Sequence, residues 1–258
     1  MSDSVPALDA HVLAAALPAR MRPQLHVREV VDSTQQVLLD ATAAWPDRSV
    51  VVTACQSAGR GRRGRVWQSP AGASLALSMR VHRDDGQRWG SGVSLALGVA
   101  TAQVLQRLGA VSTRLKWPND LVVAQRKLGG ILVESCGTGV VAGVGINLAL
   151  PAATREAIAQ PCIDLDELGC HVGREALAAA LIVAWNEAFD VFLAQGLAPF
   201  LTHWQALDAL AHVPVRVLAG EQVIEGVACG IDAQGFLLVE VADQRRAFSS
   251  AEVSVRPA

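Results

Sequence analysis

"TRLKWPNDLVVAQRKLGGILVESCGTGVVAGVGINLAL", residues 113–150, contains three strand-like runs separated by short polar breaks. They cover residues 113–123, 128–135 and 140–150 and are rich in Leu, Val and Ile. Working outward, "SVVVTACQ" (49–56) and "SLALSMRV" (74–81) read as two further buried strands. Residues 93–108 read as a helix, with Val93, Leu97, Ala100, Val104 and Leu108 on one face and Gly109 as its stop. A second helix covers 174–195, with Leu177, Leu181, Ala184, Ala188 and Phe192 aligned and Gly196 following. A third covers 33–44, with Ser33 or Thr34 as its N-cap. Successive strands followed by helices indicate α+β, a mixed or antiparallel sheet backed by helices.

The texture changes near Val213. From there the chain alternates short strands with turns, as in a small β-barrel too small to be very stable alone. The expected division is 1–212 and 213–258, with the small unit docked on the large one. Opposite charges on its first and last strands suggest an Arg216–Glu252 pair.

The 258 residues are 51% hydrophobic, enough for a sizeable core. A net charge of −2 excludes a general polyanion binder. No continuous run of about 18 apolar residues suggests a membrane span. The N-terminus lacks a basic segment and carries Asp3 and Asp9, so a short helix or arm is expected, not a signal peptide. Five cysteines without C-x-x-C spacing fit reduced thiols in the cytoplasm. Cys170–His171 has no second close pair with which to build a zinc site.

Against this neutral background "GRGRRGR" (59–65) places four arginines on glycine-loosened backbone directly after a strand. Its glycines match the dinucleotide fingerprint, but Pro70 and Gly72 prevent the helix that motif must open. The P-loop fails because Arg65-Val66 replaces Lys-Ser/Thr, and the kinase glycine loop because no D-F-G exists. What remains is a mobile basic surface loop or a device for holding an anion. "KWPND" (116–120) adds Lys116 on a strand, either turned into a cleft or snorkelling over Trp117. Lys127 precedes "LGG" and is either a hairpin-tip lysine or a third cation for the same ligand. Arg60, Arg62, Arg63, Arg65, Lys116 and Lys127 could together form a cationic pocket suited to a phosphate-bearing molecule.

In series, "EVVDSTQ" (29–35), "QSAGRGRRGRVW", "KWPNDL", "RKLGGILVE" and "GVGIN" resemble the biotin protein ligases over about residues 26–256. That resemblance implies a mixed sheet related to lipoate ligases, class II synthetase-like, with an SH3-like C-terminal domain. It implies a two-step reaction with ATP, biotin and Mg2+. Biotin is first activated as biotinyl-5′-AMP, then transferred to a lysine of the biotin carboxyl carrier protein of acetyl-CoA carboxylase. By the same resemblance, Ser33, Thr34, Gln35 and Gln56 bind biotin, with Arg60, Gly61 and Arg62 closing over it. Lys116 and Arg62 serve the phosphate, and Lys127 the carboxylate–phosphate junction. Arg65, Trp67, Asn119 and Asn147 lie on the nucleotide side, Trp67 chiefly by packing, and Asp120 assists magnesium. Relatives are monomers or homodimers. The short stretch before the match suggests the form without a DNA-binding domain, and no DNA or membrane partner is expected. Lipoate or octanoyl transfer and nucleic-acid binding are the competing readings. The first should lack the Gly/Arg loop, and the second needs a wider basic surface.

Overall fold

The computed structural model describes residues 7–40, 44–83, 89, 92–220, 222–250 and 253–257. Helix α1 (Ala10–Ala16) is capped by the Asp9 carboxylate, which accepts from the His11 and Val12 N–H groups. Strand β1 (Leu25–Val27), helix α2 (Thr34–Leu39) and strands β2 (Val50–Thr53) and β3 (Ser74–Val81) follow. Then come helix α3 (Val93–Arg107) and strands β4 (Arg114–Lys116), β5 (Asp120–Val123), β6 (Arg126–Cys136) and β7 (Gly139–Asn147). Helices α4 (Ala152–Ala157), α5 (Arg174–Gln195) and α6 (Leu201–Leu207) precede a second set of strands. These are β8 (Pro214–Ala219), β9 (Gln222–Ile231), β10 (Leu237–Val241), β11 (Gln244–Phe248) and β12 (Ser254–Pro257).

The first sheet has the order β1-β2-β3-β7-β6-β5-β4. Only β1–β2 is parallel, so the sheet is mixed, as expected for α+β. One correction concerns residues 113–123, read as a single strand. They form the antiparallel hairpin β4–β5, with Lys116 opposite Asp120. Pro118 cannot donate to a ladder, and the turn it occupies, with a cis Trp117–Pro118 bond, reverses the chain. The helix read over 33–44 is shorter, ending at Leu39 with Asp40 extended, and 41–43 lie outside the described residues.

Strand alternation separates the two faces of this sheet. Leu75, Leu77 and Met79 of β3 and Val140, Ala142 and Val144 of β7 enter the main core with α3 and α5. Helix α5 has the length and mean hydropathy, 1.6, of a membrane span. Its Leu177, Leu181, Trp185 and Phe189 are buried in that core. The opposite face carries α2, with Leu38 against Val51 and Val141.

The second sheet, ordered β11-β10-β9-β8-β12, is antiparallel throughout, the small SH3-like unit. Val215, Val217, Leu237 and Val239 join the same core as the first sheet. Trp117, 2% exposed, donates its indole N–H to Gly235 O at 3.1 Å across the junction. Burying an indole contributes roughly 4–6 kcal/mol of transfer free energy, and the hydrogen bond removes the cost of its polar edge. Glu252, the expected partner of Arg216, lies outside the described residues.

Candidate active site

The face of the first sheet away from α3 and α5 is paved with small residues beside the cleft. Reading across the register, Lys116 lies opposite Asp120, Asp120 opposite Gly130, Gly130 opposite Gly145, and Gly145 opposite Ala76. A second row runs Leu132, Gly143, Ser78. The missing side chains leave a cleft of about 150 Å³, walled by the Gly/Arg loop, the β4–β5 turn and β12. A Cβ at Gly145 would sit 2.4 Å from the Trp67 ring, and one at Gly143 would sit 2.6 Å from Gln35 Oε1. These two glycines seat Trp67 and Gln35 directly on the sheet.

One end of the cleft is neutral and polar. Gln56 Oε1 accepts from the Thr34 N–H at 2.8 Å and so caps α2. Ser33 occupies the N-cap position but makes no capping bond, and it is 2% exposed in the cleft wall. Thr34 and Ser78 share a hydroxyl–hydroxyl bond of 2.8 Å, and Gln35 donates to Val141 O at 2.8 Å.

The Gly/Arg loop is a hairpin. Trp67 N–H donates to Gly59 O at 2.8 Å and Gly61 N–H to Arg65 O at 2.7 Å. Three of its arginines have partners elsewhere. Arg60 donates to Gln36 and Glu134, the latter at 2.8 Å. Arg62 donates to Ser250 O at 2.5 Å and Asn119 Oδ1 at 3.5 Å, and Arg63 donates to Val253 O at 3.0 Å. The loop thus bridges the two sheets, a role its sequence did not reveal. Arg65 is exposed at the end of the turn over residues 62–64.

The other end is cationic. Lys127 pairs with Asp120 at 2.7 Å and lies 5.7 Å above the Trp67 ring. The Lys116 ammonium makes no hydrogen bond or ion pair among the described residues. Burial pushes its ammonium pKa down from the lysine range; Asp120 opposes this, while Arg256 and Lys127 reinforce it. Arg62 is pushed down likewise by burial, then by Arg63, against Asp120. Both are desolvated cations lacking enough nearby negative charge, a state that an anionic ligand relieves. The Trp67 indole N–H is buried with no hydrogen-bond partner among the described residues, a donor available to a ligand in the cleft.

Of the residues singled out from the sequence, Ser33, Thr34, Gln35, Gln56, Arg60, Gly61, Arg62, Arg65, Trp67, Lys116, Asn119, Asp120 and Lys127 all line this one cleft. Asn147 does not. Its amide is 3% exposed and donates to Lys127 O at 3.2 Å and Ile163 O at 3.0 Å, beneath the wall. Asn119 lines the cleft while its own amide donates to Ile131 O at 2.7 Å. Sequence reading missed Ser78, Gln160 and Arg256. Glycines at alternate positions 143 and 145 were a legible signal of a strand face that something approaches, whereas Gln160 and Arg256 arrive from distant segments with no local motif.

Known proteins match this chain along most of its length. Residues 27–150 match the biotin/lipoate A/B protein ligase family, and residues 213–256 match the biotin protein ligase C-terminal domain. The bifunctional ligase/repressor BirA of Escherichia coli (strain K12) is 42% identical over 90% of this chain and 74% of its own length. The biotin–[acetyl-CoA-carboxylase] ligase of Mycobacterium tuberculosis is 34% identical over 89% of this chain and 88% of its own. The biotin protein ligase of Aquifex aeolicus, solved with biotin and ATP, shares the fold: TM-score 0.80 over 91% of this chain and 99% of that one, at 24% identity. With both family segments matched in order and ligases this similar along most of its length, the chain is an enzyme of the biotin protein ligase family.

Proposed function

We propose that this ligase takes biotin and ATP into the cleft, forms biotinyl-5′-AMP, and passes the biotinyl group to a lysine of a biotin carboxyl carrier protein. The observation that carries this is one cleft with a neutral polar end at Thr34, Gln35 and Gln56 and a cationic end at Lys116, Arg62 and Lys127, of which burial desolvates Lys116 and Arg62. Such a cavity suits a molecule with an uncharged hydrogen-bonding head and an anionic tail that meets a phosphate. The unit before Val213 carries the cleft floor, and the small unit after it supplies part of the wall.

In the first step the biotin carboxylate attacks the α-phosphorus of ATP and pyrophosphate leaves. Lys116 and Arg62 neutralise the charge gathering on the phosphoryl oxygens, and Lys127 orients the attacking carboxylate. In the second step the neutral acceptor amine attacks the acyl carbon, the amide bond forms, AMP departs with the bonding pair, and the amine nitrogen releases one proton to solvent. The Gly/Arg loop over the cleft excludes water from the mixed anhydride. Magnesium commonly binds through one or two carboxylates plus substrate phosphates, and Asp120 supplies one carboxylate beside the phosphate end. Among the described residues no cluster of three His, Cys, Asp or Glu could hold an ion alone. A metal here would be phosphate-borne, with Asp120 as its protein ligand, and would shield phosphate charge. We also propose that the protein acts in the cytoplasm.

The test is transfer of labelled biotin, with ATP, to a purified carrier domain and to its acceptor Lys→Arg variant. Labelling of the first alone supports the reading; equal labelling of both, or of neither, refutes it.

A further inference from the structure

The first arginine of the Gly/Arg loop is tied differently from the next two. Arg60 Nη1 donates to Gln36 Oε1 at 2.5 Å and Nη2 to Glu134 Oε1 at 2.8 Å, so its fork joins helix α2 to strand β6. Arg62 and Arg63 reach instead to Ser250 O and Val253 O, beyond Val213. Glu134 lies on the same face of β6 as Leu132, one step past the row of Leu132, Gly143 and Ser78 that floors the neutral end. Gln36 follows Gln35 on α2. The Arg60 fork therefore crosses from one wall of the neutral end to the other. Arg80, the other cation in the row of Glu134, donates to Leu38 O and His82.

Holding Arg60 holds the hairpin. Arg60 and Val66 pair as an antiparallel bridge, Gly61 N–H donates to Arg65 O, and Trp67 N–H donates to Gly59 O. A Cβ at Gly59 would lie 2.4 Å from Trp67 O and 2.9 Å from Gln56 Nε2, so the base of the hairpin is pressed onto the residue that caps α2. Its tip has no such anchorage. Val66 is 70% exposed, and residues 62–64 bury no side chain. A hairpin so lightly packed opens readily unless side-chain ties close it. Glu134 offers one carboxylate oxygen to Arg60, and its Oε2 is buried with no hydrogen-bond partner among the described residues. Arg60 is thus the group that compensates this carboxylate, and each partner depends on the other.

We propose that Gln36 and Glu134 are positioning residues that latch the Gly/Arg hairpin over the neutral end of the cleft by gripping the Arg60 fork. This latch, and not the ties of Arg62 and Arg63 to the second sheet's unit, sets how long biotin stays bound before ATP arrives. That the neutral end receives biotin rests on the function proposed above; that the latch holds the hairpin closed does not.

The experiment uses the full chain as wild type, Glu134→Gln, Gln36→Ala, Arg60→Ala, Arg60→Lys and the double variant Arg60→Ala/Glu134→Gln. Release of labelled biotin is followed by stopped-flow chase, and KM for ATP by pyrophosphate exchange at saturating biotin. The side chains of Arg60 and Glu134 are 41% and 28% exposed, so solvent screens the pair and the effect is modest. Glu134→Gln and Gln36→Ala should each release biotin about three- to tenfold faster, with association within about twofold of wild type. KM for ATP should stay within about twofold, because the ties at the cationic end are separate. Arg60→Lys, a point charge without the fork, should recover only part of what Arg60→Ala loses. In the double variant, Glu134→Gln should add nothing to Arg60→Ala, because it acts through that arginine. Trypsin supplies the readout without ligand. It must draw the Arg60 side chain out of the latch, so cutting after Arg60 relative to Arg65 should rise at least about threefold in Glu134→Gln. The proposal is overturned if Glu134→Gln leaves biotin release or the tryptic ratio at the wild-type value, if it still quickens release without Arg60, or if KM for ATP rises as far as release quickens. A wild-type chain that binds no biotin sinks the ligase reading instead, while the tryptic ratio still decides whether the latch exists.

Discussion

Gly145→Ala tests whether the paved sheet face makes the site. An added Cβ would lie 2.4 Å from Trp67 Cε2 and 2.7 Å from its Nε1 and Cζ2. Ordinary contact begins near 3.4 Å, so the indole must retreat by roughly 1 Å or β7 must bend. Strand β7 lies between β3 and β6 in the first sheet, so the indole is the part that gives. Overpacking of this kind costs about 1–3 kcal/mol of stability. The functional loss should be larger. Lys127 lies 5.7 Å over that ring, and Trp67 N–H closes the Gly/Arg hairpin on Gly59 O. A shift of about 1 Å in groups that position reactants can cost a hundredfold in rate. The assay is biotin-dependent pyrophosphate exchange beside a urea melt. A variant within threefold of wild-type exchange, but destabilised as stated, would refute the idea that Gly145 exists to seat Trp67 for catalysis.

Three further outcomes are expected. Arg62→Gly removes the bonds to Ser250 O and Asn119 and one desolvated cation. At roughly 1.5–3 kcal/mol per charge-assisted bond, release of biotinyl-AMP should quicken about 10- to 150-fold while biotin affinity changes little, as stopped-flow chase will show. Because the free Lys116 ammonium is depressed and a bound phosphate restores it, ATP affinity should be full below the depressed pKa and fall as pH rises through it. Lys116→Arg should flatten that alkaline decline, and an unchanged profile would remove Lys116 from the phosphate. Asp208 has a buried Oδ2 without a hydrogen-bond partner among the described residues, and burial raises its carboxyl to about 6 against the Leu210 N–H and His212. The folded state therefore holds an extra proton between about pH 4 and 6, and stability falls as pH rises through that window. Asp208→Asn should match wild type near pH 4 and exceed it by about 2 kcal/mol at pH 7.5 in urea unfolding; an equal gap at both pH values contradicts this.

Sequence marked some strands and much of the cleft lining, and missed others for physical reasons. Strand β3 was legible to the residue because its apolar run is bounded cleanly, and α3 and α5 because a 3.6 period ending in glycine is a strong signal. The β4–β5 reversal was not. Leu115, Leu121, Val122 and Val123 read as one apolar run, and only the turn at Pro118 divides it. The cationic cluster was visible as charge on glycine-rich backbone, but the partners of its arginines were not. Ser250 O and Val253 O are backbone acceptors nearly two hundred positions away, where no side-chain pattern marks them. Asn147 shows the same limit from the other side. An asparagine ending a strand looks the same whether it meets a ligand or holds two carbonyls of its own chain.

The central claim is that one cleft joins a biotin carboxylate to an adenylyl phosphate, and the most direct measurement is exchange of labelled pyrophosphate into ATP by the purified chain. Exchange should require biotin, should not be supported by lipoate or octanoate, and should fall roughly a hundredfold or more in Lys116→Ala, the scale for a lost transition-state charge partner. Exchange that proceeds without biotin, or that Lys116→Ala leaves within a few-fold of wild type, would contradict it.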